Sequence, residues 1–283
     1  MYSAIGQVYL VSLELMQVRK PVGAITRGTT NPNRLRRVDR YIANLPLIRQ
    51  TENPIVVDLG FGANPTTAIE LLSRLQKANQ KLTVVGIEID RERVERALAF
   101  ESENLLFTLG GFEAPLPKNL ANQEITLIRA MNVLRQYQEE EVLPAWALMQ
   151  SRLKKDGLII EGTCDELGRI GSWITLDKSG PKLFTISLKL DEIDKPSKVA
   201  ERLPKILIHH NLPGEPIHRL LKELDDAWSK NSGLGTFSAQ QRWLATCKDL
   251  KANGWPIANN QARWALGEVT IRFDAVAPLN LGQ

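Results

Sequence analysis

The sequence predicts an α/β fold in which helices cover a mostly parallel sheet. Short apolar runs alternate with amphipathic stretches from residue 50 to residue 161, the pattern of parallel strands joined by helical crossovers. The first apolar run, Ile55-Val56-Val57, leads directly into a glycine-rich turn, Asp58-Leu59-Gly60-Phe61-Gly62. The chain has 283 residues, of which 43% are hydrophobic and 24% charged, the make-up of a folded globular protein with room for a large core.

The elements follow in order. Arg34 to Leu45 reads as a helix, because Leu35, Val38, Ile42 and Leu45 fall on one face. After the glycine turn, Pro65 suits a first helical turn, where its missing N–H would have had no partner. That helix continues through Ala68, Leu71, Leu72 and Leu75. Leu82 to Ile89 is a second strand and Arg91 to Phe100 another helix. Leu105 to Leu109 is a third strand, followed by a loop with Gly110, Gly111, Pro115 and Pro117. Ile125 to Ile128 forms a fourth strand, a long helix lies around Glu139 to Leu153, and Leu158 to Glu161 is a fifth strand.

The pattern then changes. Phe184, Ile186, Leu188 and Leu190 alternate with polar residues, and Asp177 to Pro181 separates them from Trp173 to Leu176, so a hairpin is expected at one sheet edge. Beyond residue 195, Ile217, Leu220, Leu221, Leu224 and Trp228 form one helical face. Ser238 and Gln241 read as a capping box, Gly254-Trp255-Pro256 as a stop, and Val269, Ile271 and Phe273 as a final strand. Three regions result: an N-terminal segment with a basic helix (1–49), a core (50–194) and a mainly helical extension packed on it (195–283).

Net charge is +4 but unevenly spread. Seven bases and one acid between Arg19 and Arg40 give that window +6 and leave the rest of the chain at −2. Such a segment can meet phosphate or another anion, or be a solvated helix face. Cys164 and Cys247 make no disulfide framework or zinc pattern, so a reduced cytoplasmic location is the default. His209, His210 and His218 lack metal-ligand spacing and read as surface or packing residues, and no metal is expected. Residues 1 to 18 read as a strand or short helix on the body, without the features of a signal peptide, and no membrane span is visible. The six tryptophans read as core, and Cys164, without a histidine nearby in sequence, as a buried thiol and not a nucleophile.

Glycines at 60 and 62 allow positive φ and close approach of a ligand, and the helix start beyond them favours an anionic group. A GxGxxG dinucleotide fingerprint fails at Pro65, and no GxxxxGK[ST] phosphate loop is present. Asp58, Gly60 and Gly62 instead resemble motif I of class I S-adenosylmethionine-dependent methyltransferases. Asn64 stands for the third glycine, a mild departure because Asn tolerates left-handed backbone. Glu88, ending the second strand 30 residues after Asp58, is similar to the acid that accepts hydrogen bonds from two ribose hydroxyls in that family. Gly110-Gly111-Phe112-Glu113 resembles the segment near the adenine, without its usual Asp. Asn132-Val133-Leu134-Arg135-Gln136-Tyr137 resembles an "NVLEH" segment, with Gln136 and Tyr137 where a His often sits. The resemblance covers roughly residues 50–190. The strings Arg27 to Arg34 and Glu161 to Glu166 resemble a side branch of the family.

The resemblance implies a Rossmann-like sheet of seven strands in the order 3-2-1-4-5-7-6, with N- and C-terminal additions. It implies S-adenosylmethionine as cofactor, held by Arg27, Asp58, Gly60, Gly62, Asn64, Glu88, Ile89, Gly111 and Phe112. Asn132, Glu161, Asp165 and Glu166 are candidate catalytic residues, the three acids as bases for an acceptor that must lose a proton. Arg34, Arg37 and Arg169 are candidates for gripping the acceptor. With the body at −2 and its tryptophans internal, a small or medium anionic acceptor is expected ahead of RNA or another long nucleic acid. A rival reading is a non-catalytic nucleotide- or RNA-binding module on the same fold.

Overall fold

The computed structural model describes residues 21–25, 28 and 31–281. Residues 1–18, expected as a strand or short helix, lie outside the described residues, as do Arg19, Lys20 and Arg27. Five parallel strands build the heart of the sheet: β1 (Ile55–Leu59), β2 (Thr83–Glu88), β3 (Leu105–Leu109), β4 (Ile125–Met131) and β5 (Leu153–Cys164). Three antiparallel strands follow: β6 (Ile170–Asp177), β7 (Gly180–Leu188) and β8 (Glu268–Arg272). The spatial order is 3-2-1-4-5-6-7-8.

The α/β, Rossmann-like architecture is the expected one, but the strand count and order are not. The sixth strand lies beside the fifth because the connection between them is a tight turn with no helix. Asp165 accepts the amide N–H of Arg169 at 2.6 Å and of Ile170 at 3.2 Å, which reverses the chain beside β5. The hairpin β6–β7 then continues outward. An eighth strand comes from the C-terminal extension, pairing Ile271 with Phe184 and Val269 with Ile186.

Helices cover both faces. On one face pack α1 (Arg36–Ala43), α2 (Pro46–Gln50), α3 (Thr66–Leu75) and α4 (Arg91–Ala97), through buried Val38, Ile42, Ile48, Leu71, Leu75 and Val94. The other face carries α5 (Val142–Ser151), α6 (Lys205–Ile208), α7 (Pro216–Lys230) and α8 (Ala239–Ala252), with the short α9 (Gln261–Trp264) leading into β8. The apolar stripe of α7 is buried, and Ser238 caps α8 by accepting the Gln241 amide at 3.1 Å. All six tryptophans are 5% exposed or less. Among the described residues no helix is long and apolar enough to cross a membrane.

Candidate functional site

A narrow slot opens at the carboxyl ends of β1, β2 and β4, where the strand order turns back on itself. In open α/β sheets that switch point is where ligands bind. Gly60 and Gly62 have φ of +71° and +87°, conformations that side chains with a Cβ resist. Their turn is fixed by two bonds: the Gly60 amide donates to the Ile87 carbonyl at 2.7 Å, and the Gly62 amide donates to Glu88 Oε2 at 2.9 Å. Glu88 is 3% exposed, and its Oε1 also accepts the amides of Ile89 at 3.0 Å and Asp90 at 3.3 Å. The Arg93 guanidinium stands 3.6 Å from Oε1. Ile89, Gly111, Phe112, Val133 and Tyr137 complete the walls, with Phe112 and Tyr137 edge to face at 5.1 Å.

Residues 22–24 form a strap along the slot. The Val22 carbonyl accepts the Phe112 amide at 3.0 Å, and the Val22 amide donates to Glu113 Oε2 at 2.9 Å. Tyr137 Oη accepts the Ala24 amide at 2.6 Å and donates to the Ala24 carbonyl at 3.1 Å. Burial pushes the Tyr137 hydroxyl above its ordinary pKa, so it stays protonated and able to donate. Gly111 permits the contact, because a Cβ there would fall 1.9 Å from the Val22 carbonyl oxygen.

Of the residues expected at a cofactor, Gly60, Glu88, Ile89, Gly111 and Phe112 therefore border one slot, and Gly62 is tied to it through Glu88. Asp58 sits behind the turn. It accepts Thr67 Oγ1 at 2.7 Å and Arg129 Nε at 3.1 Å, and is buried. Asn64 is exposed, and its backbone is not left-handed; its Oδ1 accepts the Thr66 amide at 3.1 Å and starts α3. Arg27 lies outside the described residues.

The candidate catalytic residues are dispersed. Asn132, with φ of +64°, is locked across the ends of β4 and β5: its Oδ1 accepts the Cys164 amide at 2.9 Å and its Nδ2 contacts Cys164 Sγ at 3.4 Å. Burial pushes the Cys164 thiol up. Asp165 is occupied by the β5–β6 turn. Glu161 is fully buried between β4, β6 and α5, without a well-formed hydrogen bond among the described residues, and burial, eased only by Trp146, pushes its pKa up to about 8. Glu166 is the one of the four open to solvent. Its own backbone N–H, followed by the guanidinium groups of Arg202, Arg34 and Arg135, holds its carboxyl below the ordinary value.

The acceptor candidates divide as well. Arg34 donates from Nε to the Asp165 carbonyl at 3.0 Å and from a terminal nitrogen to the Cys164 carbonyl at 3.2 Å. Arg37 donates to Ser187 Oγ at 3.3 Å and the Leu266 carbonyl at 3.1 Å, and burial, then Arg40 and Arg36, lower its pKa to about 10. The two border one small pocket with Cys164 and Trp173 that shares no lining residue with the slot. Arg169 pairs with Glu192 at 2.5 Å and lines neither. His210 lies against Glu139 at 2.7 Å and His218 against Asn211 at 3.1 Å, and among the described residues no cluster of His, Cys, Asp or Glu is arranged for a metal.

Tyr137, Arg135, Arg202 and Arg129 were missed. Tyr137 had a signal, standing where the similar family often carries its His. Arg129 sits one residue past the end assigned to the fourth strand from its apolar run.

No protein-family model and no curated protein matches the chain. Solved structures match parts of it, and the three that follow are all methyltransferases. A SAM-dependent methyltransferase from Leishmania major is 20% identical over 46% of this chain and 48% of its own, with a TM-score of 0.32. Human N-acetylserotonin methyltransferase, solved with SAM, is 22% identical over 46% of this chain and 35% of its own, with a TM-score of 0.34. An O-methyltransferase family 2 protein from Planctomyces limnophilus, solved with apigenin, is 15% identical over 46% of this chain and 41% of its own, with a TM-score of 0.34. This chain spans less than half the length of each. At such identities and TM-scores the function has to be read from the site's own residues.

Proposed function

We propose that the chain binds S-adenosylmethionine in the slot and transfers its methyl group to a small or medium anionic acceptor. The observation that carries this reading is the bond between the Gly62 amide and Glu88, which joins the glycine turn and a buried acid at the ends of two adjacent parallel strands. A carboxylate so placed offers an acceptor oxygen to a neighbouring hydroxyl and repels a phosphate. Oε2 accepts one amide and so keeps capacity for a hydroxyl, while Oε1 already accepts two amides and faces Arg93 at 3.6 Å. Ile89 and Phe112 supply apolar walls for a planar base.

When bound, the cofactor supplies a methyl group already activated on a sulfonium. The residues therefore need only position: Gly60 and Gly62 set the approach, Glu88 fixes the ribose, and the strap held by Tyr137 excludes water. Alignment of this kind accounts for about 7–11 kcal/mol of a barrier. Asn132, Glu161 and Asp165 are engaged or sealed, and Glu166 is a weakened base. An acceptor atom that reaches the site already deprotonated suits this arrangement best.

Calorimetry with S-adenosylhomocysteine tests the reading. The folded full chain should bind it, and Glu88→Ala should weaken binding about tenfold or more, equivalent to at least ~1.4 kcal/mol. No binding, or equal binding by the variant, defeats the proposal.

A further inference from the structure

Two arginines from distant segments lie near the carboxyl end of β5, Arg135 bonded to the backbone of the residue before Arg202. Arg202 reaches Glu166 with a terminal nitrogen 3.3 and 3.5 Å from its two carboxylate oxygens. The Glu201 carbonyl accepts Arg135 at 3.0 Å. That carbonyl carries no full charge, and Glu166 and Glu201 offset the charge of Arg135 only in part. Burial, and then the positive charge of Arg202, lower its pKa. Glu166 itself is 63% exposed, and so loose a surface pair contributes little. The Arg202 backbone is rigid, because its carbonyl accepts Thr163 Oγ1 at 2.7 Å and Ser172 Oγ at 2.6 Å. The turn that carries Arg135 also carries Val133 and Tyr137 into the slot wall.

We infer that Arg135 and Arg202 seat a carboxylate borne by the acceptor, and that Glu166 is a built-in occupant which the acceptor displaces. This rests on the methyl-transfer reading for the word acceptor, but the seat itself does not. Glu166 shows that a carboxylate reaches Arg202, with both oxygens toward one terminal nitrogen. Paired guanidinium groups suit a planar anion, which each can meet with two parallel N–H bonds. Displacement frees Glu166 into solvent, where it already mostly lies, so the exchange costs little.

Benzoate is the probe, titrated into the full chain at low ionic strength beside a separate titration of S-adenosylhomocysteine. Arg135→Gln and Arg202→Gln should each weaken benzoate about tenfold. Glu166→Gln should tighten it several-fold, a gain that a merely structural Glu166 would not give. S-adenosylhomocysteine affinity should be the same in all three variants. Benzoate binding indifferent to the three substitutions overturns the seat, as does preference for single-stranded RNA with a salt slope of many phosphates. If S-adenosylhomocysteine fails to bind while benzoate follows the substitutions, the seat stands and the methyl-transfer reading falls. If it binds and benzoate does not, the seat alone falls.

Discussion

Arg129 in β4 and Glu161 in β5 lie on adjacent strands, one residue out of register, with Arg129 beside Ile160 and Ala130 beside Glu161. They point to opposite faces of the sheet, and both are fully buried. Arg129 meets Asp39 and Asp58 and donates to the Thr67 carbonyl at 3.0 Å. Glu161 faces Trp146 of α5, and among the described residues neither its oxygens nor the Trp146 indole nitrogen makes a well-formed hydrogen bond. Burial works against the charge of Arg129, but its two carboxylates outweigh that and raise its pKa. At Glu161 burial goes almost unopposed, so the carboxyl stays protonated at neutral pH. A buried charge persists in this sheet where oppositely charged groups from separate segments converge; elsewhere the group neutralises.

The strongest way to break that contrast is Arg129→Met. It takes a buried cation from both Asp39 and Asp58, leaving Asp39 with Arg74 at 2.6 Å and Asp58 with the Thr67 hydroxyl, and should cost about 3–5 kcal/mol, read from the urea midpoint. A loss under ~1 kcal/mol would mean that the two acids find other partners. Glu161→Gln tests the other face. A carboxyl raised from its ordinary value of 4.5 to about 8 binds more protons folded than unfolded. Its contribution is complete below pH 4.5 and declines by about 1.4 kcal/mol per pH unit until pH 8 is passed. Between pH 5 and 7 the wild type should lose about 2–3 kcal/mol relative to the Gln variant. Parallel stability curves for the two would show that Glu161 is ionised in the folded state. Glu268 sharpens the rule, since it is buried yet paired with Arg40 at 2.8 Å and with Arg263, cations that are 38% and 18% exposed. Because these can turn to water, Glu268→Gln should cost only about 1.5 kcal/mol. A thermal melt showing a loss as large as that of Arg129→Met would remove solvent access from the explanation.

How much of this was legible depended on distance along the chain. Gly60, Gly62 and Glu88 stood out because a turn after a strand and an acid at a strand end are local patterns. So were β1 to β5, the hairpin, and the apolar face of α7. The position of β6 was not, because it rests on Asp165 capping two amides in a five-residue turn. Glu161 ends the strand that the apolar run predicts and so was expected at the crevice, yet the strand runs three residues further, to Cys164, and leaves it inside. The Arg129 cluster joins residues 90 and 71 positions apart, and Arg202 meets Glu166 across 36, separations that no periodicity records.

Asp39, Arg40 and Tyr41 are three consecutive residues of α1. Asp39 answers to β4 through Arg129, Arg40 to β8 through Glu268, and Tyr41 to β6, where its hydroxyl lies 3.1 Å from Thr175 Oγ1. One short helix thus pins strands from the middle and the far edge of the sheet. A cut near residue 50, at the boundary that composition suggests, would not trim an appendage from a finished body. It would withdraw partners from the interior of that body at three strands together. The chain is indivisible there, and the basic segment cannot be lost, swapped or shuffled independently of the sheet it precedes.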